Sequence, residues 1–385
     1  MTDFQGSAIQ NAIYVSGEYP WPVAAADWER AAAEKLDAGA FGYIAGGAGA
    51  ESTIRANREA FERRRIRPQM LTGNVERDLS VEILGTRSPA PFFLAPIGVL
   101  SIAHAEGEVA AARAAASMSI PLILSSAASH SIEEIAAAMG EAPRWFQLYW
   151  GNDREVAESF VDRATAAGYG AIVVTLDTLT LGWRPRDLKR AYLPFLSGQG
   201  CAQFFTDPIF RSRLAKPPEE DVLTAAATML TTFPNLGLTW SDVAWLRERT
   251  RLPLLAKGVL TAEDARRALD AGVDGLIVSN HGGRQVDGAV ASLDALVEVR
   301  EVLPETIVLV DGGIRHGADV LKAMALGADA VLVGRPYAYG LAVGGQDGVE
   351  QVLTQLWAET DLTLALAGGR SVRELDRSFL AEAVV

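Results

Sequence analysis

The chain has 385 residues, 49% of them hydrophobic, which is enough for a large core: a barrel of about 250 residues plus additions, or two ordinary domains. A formal charge of -13 and a pI near 4.9 exclude the basic footprint of a protein that binds nucleic acid. Cys201 is the single cysteine, so no intramolecular disulfide can form and a reducing compartment is expected.

The opening MTDFQGSAIQ lacks the basic start and apolar stretch of a signal peptide, and no apolar stretch reaches the ~20 residues of a membrane span. The expectation is a cytoplasmic protein with no membrane partner. Residues 1–89 read as an N-terminal helical extension. It holds a helix at Asp27–Leu36, the glycine-rich Tyr43-Ile44-Ala45-Gly46-Gly47-Ala48-Gly49 and a second helix through Phe61. Arg63-Arg64-Arg65 reads as a solvated helix end.

From residue 90 to 385 the chain punctuates itself regularly. Apolar runs stand at Phe92–Ala95, Leu122–Ser125, Trp145–Tyr149, Ala171–Leu176, Leu254–Ala256, Leu276–Val278, Ile307–Val310 and Val331–Val333. None alternates with polar residues, as expected of strands buried on both faces. Helical stretches lie between most of them, and Thr261, with Asp264 three residues on, marks one helix start. Eight strands alternating with helices predict an α/β fold, a (β/α)8 TIM barrel. The fourth connection, about 178–239, is too long for an ordinary barrel loop. Its aromatics Trp183, Tyr192, Phe195, Phe204, Phe205 and Phe210 argue against disorder and for a lid on the barrel mouth.

A barrel gathers its strand ends around one mouth, where active sites are built. Asp311-Gly312-Gly313-Ile314-Arg315 follows the seventh strand and Gly334-Arg335 the eighth, the place where barrels bind phosphate through glycine turns and arginines. Ser279-Asn280-His281-Gly282-Gly283-Arg284 follows the sixth, and Arg184 lies just past the fourth. Two arginines can clamp a carboxylate while a neutral histidine takes a proton as the neighbouring carbon is oxidised. Asp177 can hold that imidazole, or it caps a helix. Lys257, ending the fifth strand, needs a partner: Asp311, or an electron-rich reduced cofactor. No metal site is expected.

The segment Ser279-Asn280-His281-Gly282-Gly283-Arg284-Gln285 strongly resembles the active-site signature of FMN-dependent enzymes that oxidise L-2-hydroxy acids, and the resemblance runs from Tyr43 to Arg335 and into the C-terminal helix. Within that family, Tyr43–Gly47, Ala95-Pro96-Ile97-Gly98-Val99, Gly182–Asp187 and Gly334–Ala338 look closest to lactate 2-monooxygenases. The resemblance implies FMN contacts from Ala95, Pro96, Ile97, Gly98, Ser125, Gln147, Thr175, Lys257 and Ser279. It places the FMN phosphate on Gly312, Gly313, Ile314, Arg315, Gly334 and Arg335, with Asp311 on ribityl hydroxyls. Tyr43, Tyr149, Arg184 and Arg284 would bind the substrate, with His281 as base and Asp177 as its partner. Tyr43 and Tyr149 by themselves equally suit core aromatics.

The implied partners are a small L-2-hydroxy acid such as lactate, and O2; family members assemble as tetramers or octamers. Early release of pyruvate gives pyruvate and hydrogen peroxide, as in an oxidase. Retention under the lid lets peroxide convert it to acetate, carbon dioxide and water, the outcome expected here. Gly98 matches the monooxygenases, where many oxidases have alanine, although the lid is shorter than theirs. Other readings are a phosphate-binding barrel isomerase or lyase, a non-catalytic barrel, and a flavoenzyme docked on a membrane. The last draws on seven Lys/Arg against two Asp between Arg184 and Lys216.

Overall fold

The strands that build the molecule's centre are mostly apolar and buried on both faces, and a sheet of such strands can hide both faces by closing on itself inside a ring of helices. The computed structural model describes residues 6–382 and shows that solution. Eight parallel strands close a barrel: β1 (Phe92–Leu94), β2 (Leu122–Ser125), β3 (Arg144–Tyr149), β4 (Ile172–Thr175), β5 (Leu254–Val259), β6 (Gly275–Val278), β7 (Ile307–Val310) and β8 (Ala330–Val333). Each strand pairs with the next in sequence. β8 closes on β1 through Val331 with Phe92, Leu332 with Phe93 and Val333 with Leu94. All eight expected strands are present, so the predicted (β/α)8 barrel is observed.

A helix follows each strand, and local sequence sets several of their starts. Ser131 accepts from the Glu134 amide while Glu134 returns to the Ser131 amide, a complete capping box. Thr261 accepts from Asp264 N at 3.1 Å, as its spacing predicts. Before the barrel come the helices Gly6–Val15, Ala25–Lys35, Ala38–Ala45 and Ser52–Glu62 and the hairpin Val81–Ile83/Thr86–Ser88. Thr86 accepts from the buried Trp145 indole at 2.8 Å, docking that hairpin at the start of β3.

The triple arginine is not simply a solvated helix end. Its helix stops at Glu62, Arg64–Ile66 pairs antiparallel with Leu380–Glu382, and Arg63 and Arg64 both reach Asp294 at 2.6 Å. Pairing with a segment some 300 residues away decides this, which a local reading of charge does not see.

The long fourth connection contains Pro185–Leu188, Ala202–Phe205, Pro208–Ser212 and Val222–Thr232 as short helices before Trp240–Arg249, the helix that completes the fourth repeat. Its aromatics anchor it: Phe204 packs edge-on against Phe160 and Phe210, with ring centroids 5.0 and 5.2 Å apart. Backbone bonds fasten it to neighbouring loops, Gly49 N to Trp183 O at 2.9 Å and Ala202 N to Ala128 O at 3.1 Å. No helix among the described residues is long and apolar enough to cross a membrane.

Candidate active site

Side chains two residues apart share a strand face, and at this mouth that spacing makes two polar layers. The lower one is buried and internally bonded. Ser125 Oγ donates to Gln147 Oε1 at 3.0 Å, and Gln147 Nε2 donates to Thr175 Oγ1 at 2.9 Å. Lys257 Nζ donates to Ser279 Oγ at 2.9 Å and lies 3.2 Å from Asp311 Oδ2, while Ser279 Oγ donates to Asp311 Oδ1 at 2.7 Å. Burial works against the Lys257 charge, but Asp311 and Asp177 outweigh it and raise the ammonium above its ordinary value. The upper layer, two residues further along, is Tyr149, Asp177 and His281.

His281 Nδ1 lies 2.7 Å from Asp177 Oδ1. A carboxylate only accepts, so Nδ1 carries the hydrogen and Nε2 is left with its lone pair. The Tyr149 hydroxyl stands 3.3 Å from that Nε2. Thr178 donates to the same Asp177 oxygen at 2.8 Å. Burial holds the imidazole below its usual 6.5, against the pull of Asp177, with Lys257 and Arg184 adding to the effect. His281 is therefore a neutral imidazole at neutral pH. Burial pushes Asp177 up, but His281 and Lys257 overcome it and bring the carboxyl to about 2. Room for Asp177 comes from β5, where the register shifts between Lys257 and Val259. A Cβ on the intervening Gly258, at φ 107°, would meet Asp177 Cβ at 2.7 Å.

Two guanidiniums face this pair. Arg184 Nε donates to the Arg284 carbonyl at 3.1 Å and its Nη2 to Gln285 Oε1 at 2.8 Å. Arg284 Nη1 donates to the carbonyls of Tyr43 and Gly46, and its guanidinium lies 4.9 Å over the Tyr43 ring. Burial first, then the Arg184 charge, push Arg284 down to about 9. Neither has a carboxylate salt bridge among the described residues. At the far end Arg335 donates to the carbonyls of Ile44, Gly282 and Gly46 at 3.2, 2.9 and 2.8 Å. Burial and Arg335 push the neighbouring Arg315 down to about 10.

These groups line one cleft whose empty volume, open mouth included, is about 1090 Å³. Ala95–Gly98 make one wall and Asp311–Arg315 with Gly334 and Arg335 the far end; Tyr43, Tyr149, Arg184, Lys257, His281 and Arg284 complete it. Ser125, Gln147, Thr175 and Ser279 lie behind the wall, and Asp177 reaches it through His281. Sequence reasoning missed Thr178, whose only signal was its place beside Asp177. It also missed the contributions of Leu181 and Phe233 from the lid and of Ala127 from the loop after β2, whereas Phe195 lines the cleft as one of the expected lid aromatics.

The FMN-dependent dehydrogenase family profile matches residues 32–382. The chain belongs to that family. It is 43% identical to the L-lactate oxidase of Lysinibacillus sphaericus over 94% of this chain and 93% of that one. It is also 43% identical to the 4-hydroxymandelate oxidase of Amycolatopsis orientalis, over 91% and 96%. A solved mandelate oxidase with (S)-4-hydroxymandelic acid superposes with a TM-score of 0.84 at 41% identity, covering 94% of this chain and all of that one. The protein is thus an FMN-dependent oxidoreductase whose relatives are named as 2-hydroxy-acid oxidases, and the isomerase, lyase and non-catalytic readings fall.

The residues present fit FMN. Arg315 and Arg335 are half-buried like charges without a carboxylate salt bridge among the described residues, and a phosphate dianion answers such a pair. Beside them Gly312 and Gly313 take φ 93° and 95°, and a Cβ on Gly313 would come 2.9 Å from the Asn57 carbonyl. That turn admits only glycine, which leaves backbone amides open to an approaching anion.

Proposed function

We propose that this enzyme oxidises a small L-2-hydroxy acid, lactate in size, to the 2-oxo acid, with O2 as final oxidant. One observation carries the reading: the His281–Asp177 pair shares a cleft wall with two guanidiniums, Arg184 and Arg284, that form no carboxylate salt bridge among the described residues. The substrate carboxylate supplies the missing charge. The clamp fixes its 2-carbon, and Tyr43 and Tyr149 hold its oxygens. His281 Nε2 takes a proton, and Asp177, ionised and 2.7 Å from Nδ1, stabilises the imidazolium that results. FMN, when bound, would supply the acceptor for the hydride equivalent, with O2 as the final oxidant. Gly312–Arg315 with Gly334 and Arg335 would hold its phosphate, Asp311 its ribityl hydroxyls, and Ala95–Gly98 and Lys257 its ring. Ser125, Gln147, Thr175 and Ser279 set the polar floor behind them.

How long the 2-oxo acid stays decides the products. Early release yields 2-oxo acid and hydrogen peroxide, and the oxidase names of the relatives support that outcome. The monooxygenase outcome remains a second reading because of Gly98. A Cβ there would meet Ala127 Cβ at 2.9 Å and Ala127 O at 3.0 Å, and Val99 N already binds that oxygen at 2.9 Å. The wall is therefore built around glycine, the residue that resembles the monooxygenases.

L-lactate supplied under air, with pyruvate, peroxide and acetate quantified, separates the two. Equal pyruvate and peroxide establish the oxidase; acetate in their place establishes the monooxygenase; bound flavin that no 2-hydroxy acid reduces sinks the reading. Gly98→Ala is expected to displace the Ala127 loop at a cost of about 1–3 kcal/mol, seen as a lower thermal midpoint. It should also shift any acetate formed toward pyruvate and peroxide.

A further inference from the structure

Both working ends of the cleft, the His281 turn and the Gly312–Gly313 turn, pack on one residue from outside the barrel. Asn57, on the helix Ser52–Glu62, is 2% exposed, and Asn280, immediately before His281, is 4% exposed. Their amides pair reciprocally: Asn57 Nδ2 donates to Asn280 Oδ1 at 2.9 Å, and Asn280 Nδ2 donates to Asn57 Oδ1 at 2.8 Å. Backbone groups fix both orientations. Ser292 N donates to Asn57 Oδ1 at 3.1 Å, Gly283 N donates to Asn280 Oδ1 at 3.2 Å, and Asn280 Nδ2 also donates to Val290 O at 3.0 Å. Flipping either amide would set donor against donor. A Cβ on Gly312 would lie 3.1 Å from Asn57 Nδ2 and 3.3 Å from Asn280 Oδ1. The anion-end turn thus rests on the same pair.

His281 needs such support. Its φ of 58° is a left-handed conformation that a side chain holds at a cost of roughly 1–2 kcal/mol. We propose that Asn57 is a positioning residue whose amide, donor and acceptor at once, sets the His281 turn against the Gly312–Gly313 turn. It thereby sets the base against the cofactor's phosphate end, an inference that rests on the roles of His281 and FMN given above. A side chain that merely filled space would not need both functions.

Asn57→Asp in the full-length holoenzyme tests this. The variant keeps the acceptor for Ser292 N and Asn280 Nδ2 but turns a second acceptor toward Asn280 Oδ1. Protonation of the new carboxyl restores the donor, and burial brings that protonation toward neutral pH. The titratable and charged groups around the clasp are Arg58 on the same helix, Asp287 beyond the His281 turn, Asp294 on the helix Ser292–Val302, Asp311 and Arg315 on the β7 turn, Asp319 beyond it, and the neutral His281. Both proteins share them, so the ratio of variant to wild type is read at each pH.

Expected are anaerobic flavin reduction slower by about 10- to 100-fold at about pH 8, a deficit that shrinks severalfold by about pH 6, and faster FMN release on dilution, followed by flavin fluorescence. Wild-type behaviour in both readouts overturns the proposal, as does a deficit that Asn57→Leu reproduces equally at every pH. Should Asn57→Asp fail to fold, Asn57→Ser keeps a hydroxyl donor and acceptor; a smaller deficit in both readouts is expected, and wild-type behaviour overturns. Wild-type protein that holds FMN yet is reduced by no 2-hydroxy acid defeats the functional reading alone, and FMN release still judges Asn57.

Discussion

Replacing His281 by glutamine is expected to slow reduction of bound FMN by an L-2-hydroxy acid about 10²- to 10⁴-fold, with FMN retained. Glutamine approximates the shape and can still donate toward Asp177, but it has no basic nitrogen where Nε2 stands 3.3 Å from the Tyr149 hydroxyl. The size of the loss follows from what the site does to the imidazole. Burial, Lys257 and Arg184 disfavour its charged form, while Asp177 waits, ionised, to receive that charge when it forms. The sign of the pH dependence follows as well. The base must be neutral to act, and its value is lowered from 6.5, so wild-type kcat/KM should rise along an acid limb centred below 6.5 and stay level through neutrality. In the variant that limb should vanish. Anaerobic stopped-flow reduction across pH measures both, and an undiminished rate in the variant would remove His281 from the chemistry.

The barrel was legible because its rule is local: each strand carries its apolar run within four to six residues, apart from the shorter β1. The strand ends then fell around one mouth, and the pairing of Asp177 with His281 stood as expected at 2.7 Å. What stayed hidden depends on partners far apart in the chain. Nothing near Asn57 shows that it meets Asn280, 223 residues away, and nothing near Arg335 shows that it spends three nitrogens on carbonyls of Ile44, Gly46 and Gly282. Gln147 and Thr175 were expected as site residues from the resemblance, but their place behind the wall needed the barrel's strand register, Tyr149 against Thr175, to be known. Phe233 reaches the cleft because its ring packs on Tyr149, centroids 5.0 Å apart, a contact that a long lid sequence does not announce.

The clamp gives the second large effect. Arg284→Met should lower kcat/KM by roughly 30- to 5000-fold, equivalent to about 2–5 kcal/mol, because it removes one partner of a buried, hydrogen-bonded charge pair that forms when the substrate carboxylate enters. The loss should fall mainly on KM, since the carboxylate is held alike before and during oxidation. Stability should move the other way. This guanidinium lies half-buried next to Arg184 without a carboxylate salt bridge among the described residues, held by carbonyls of Tyr43 and Gly46 and by the Tyr43 ring. Burial and Arg184 bring it down to about 9, the mark of a charge the fold accommodates at a cost. Methionine keeps the stem without the charge, so the thermal midpoint should hold or rise while substrate affinity collapses. A variant that loses stability and affinity together would show that Arg284 serves the fold first. A stable variant with unchanged KM would show that the carboxylate binds elsewhere. Separation of the two effects is what a site built for an anionic substrate must give, because the cost of gathering Arg184 and Arg284 is recovered only on binding.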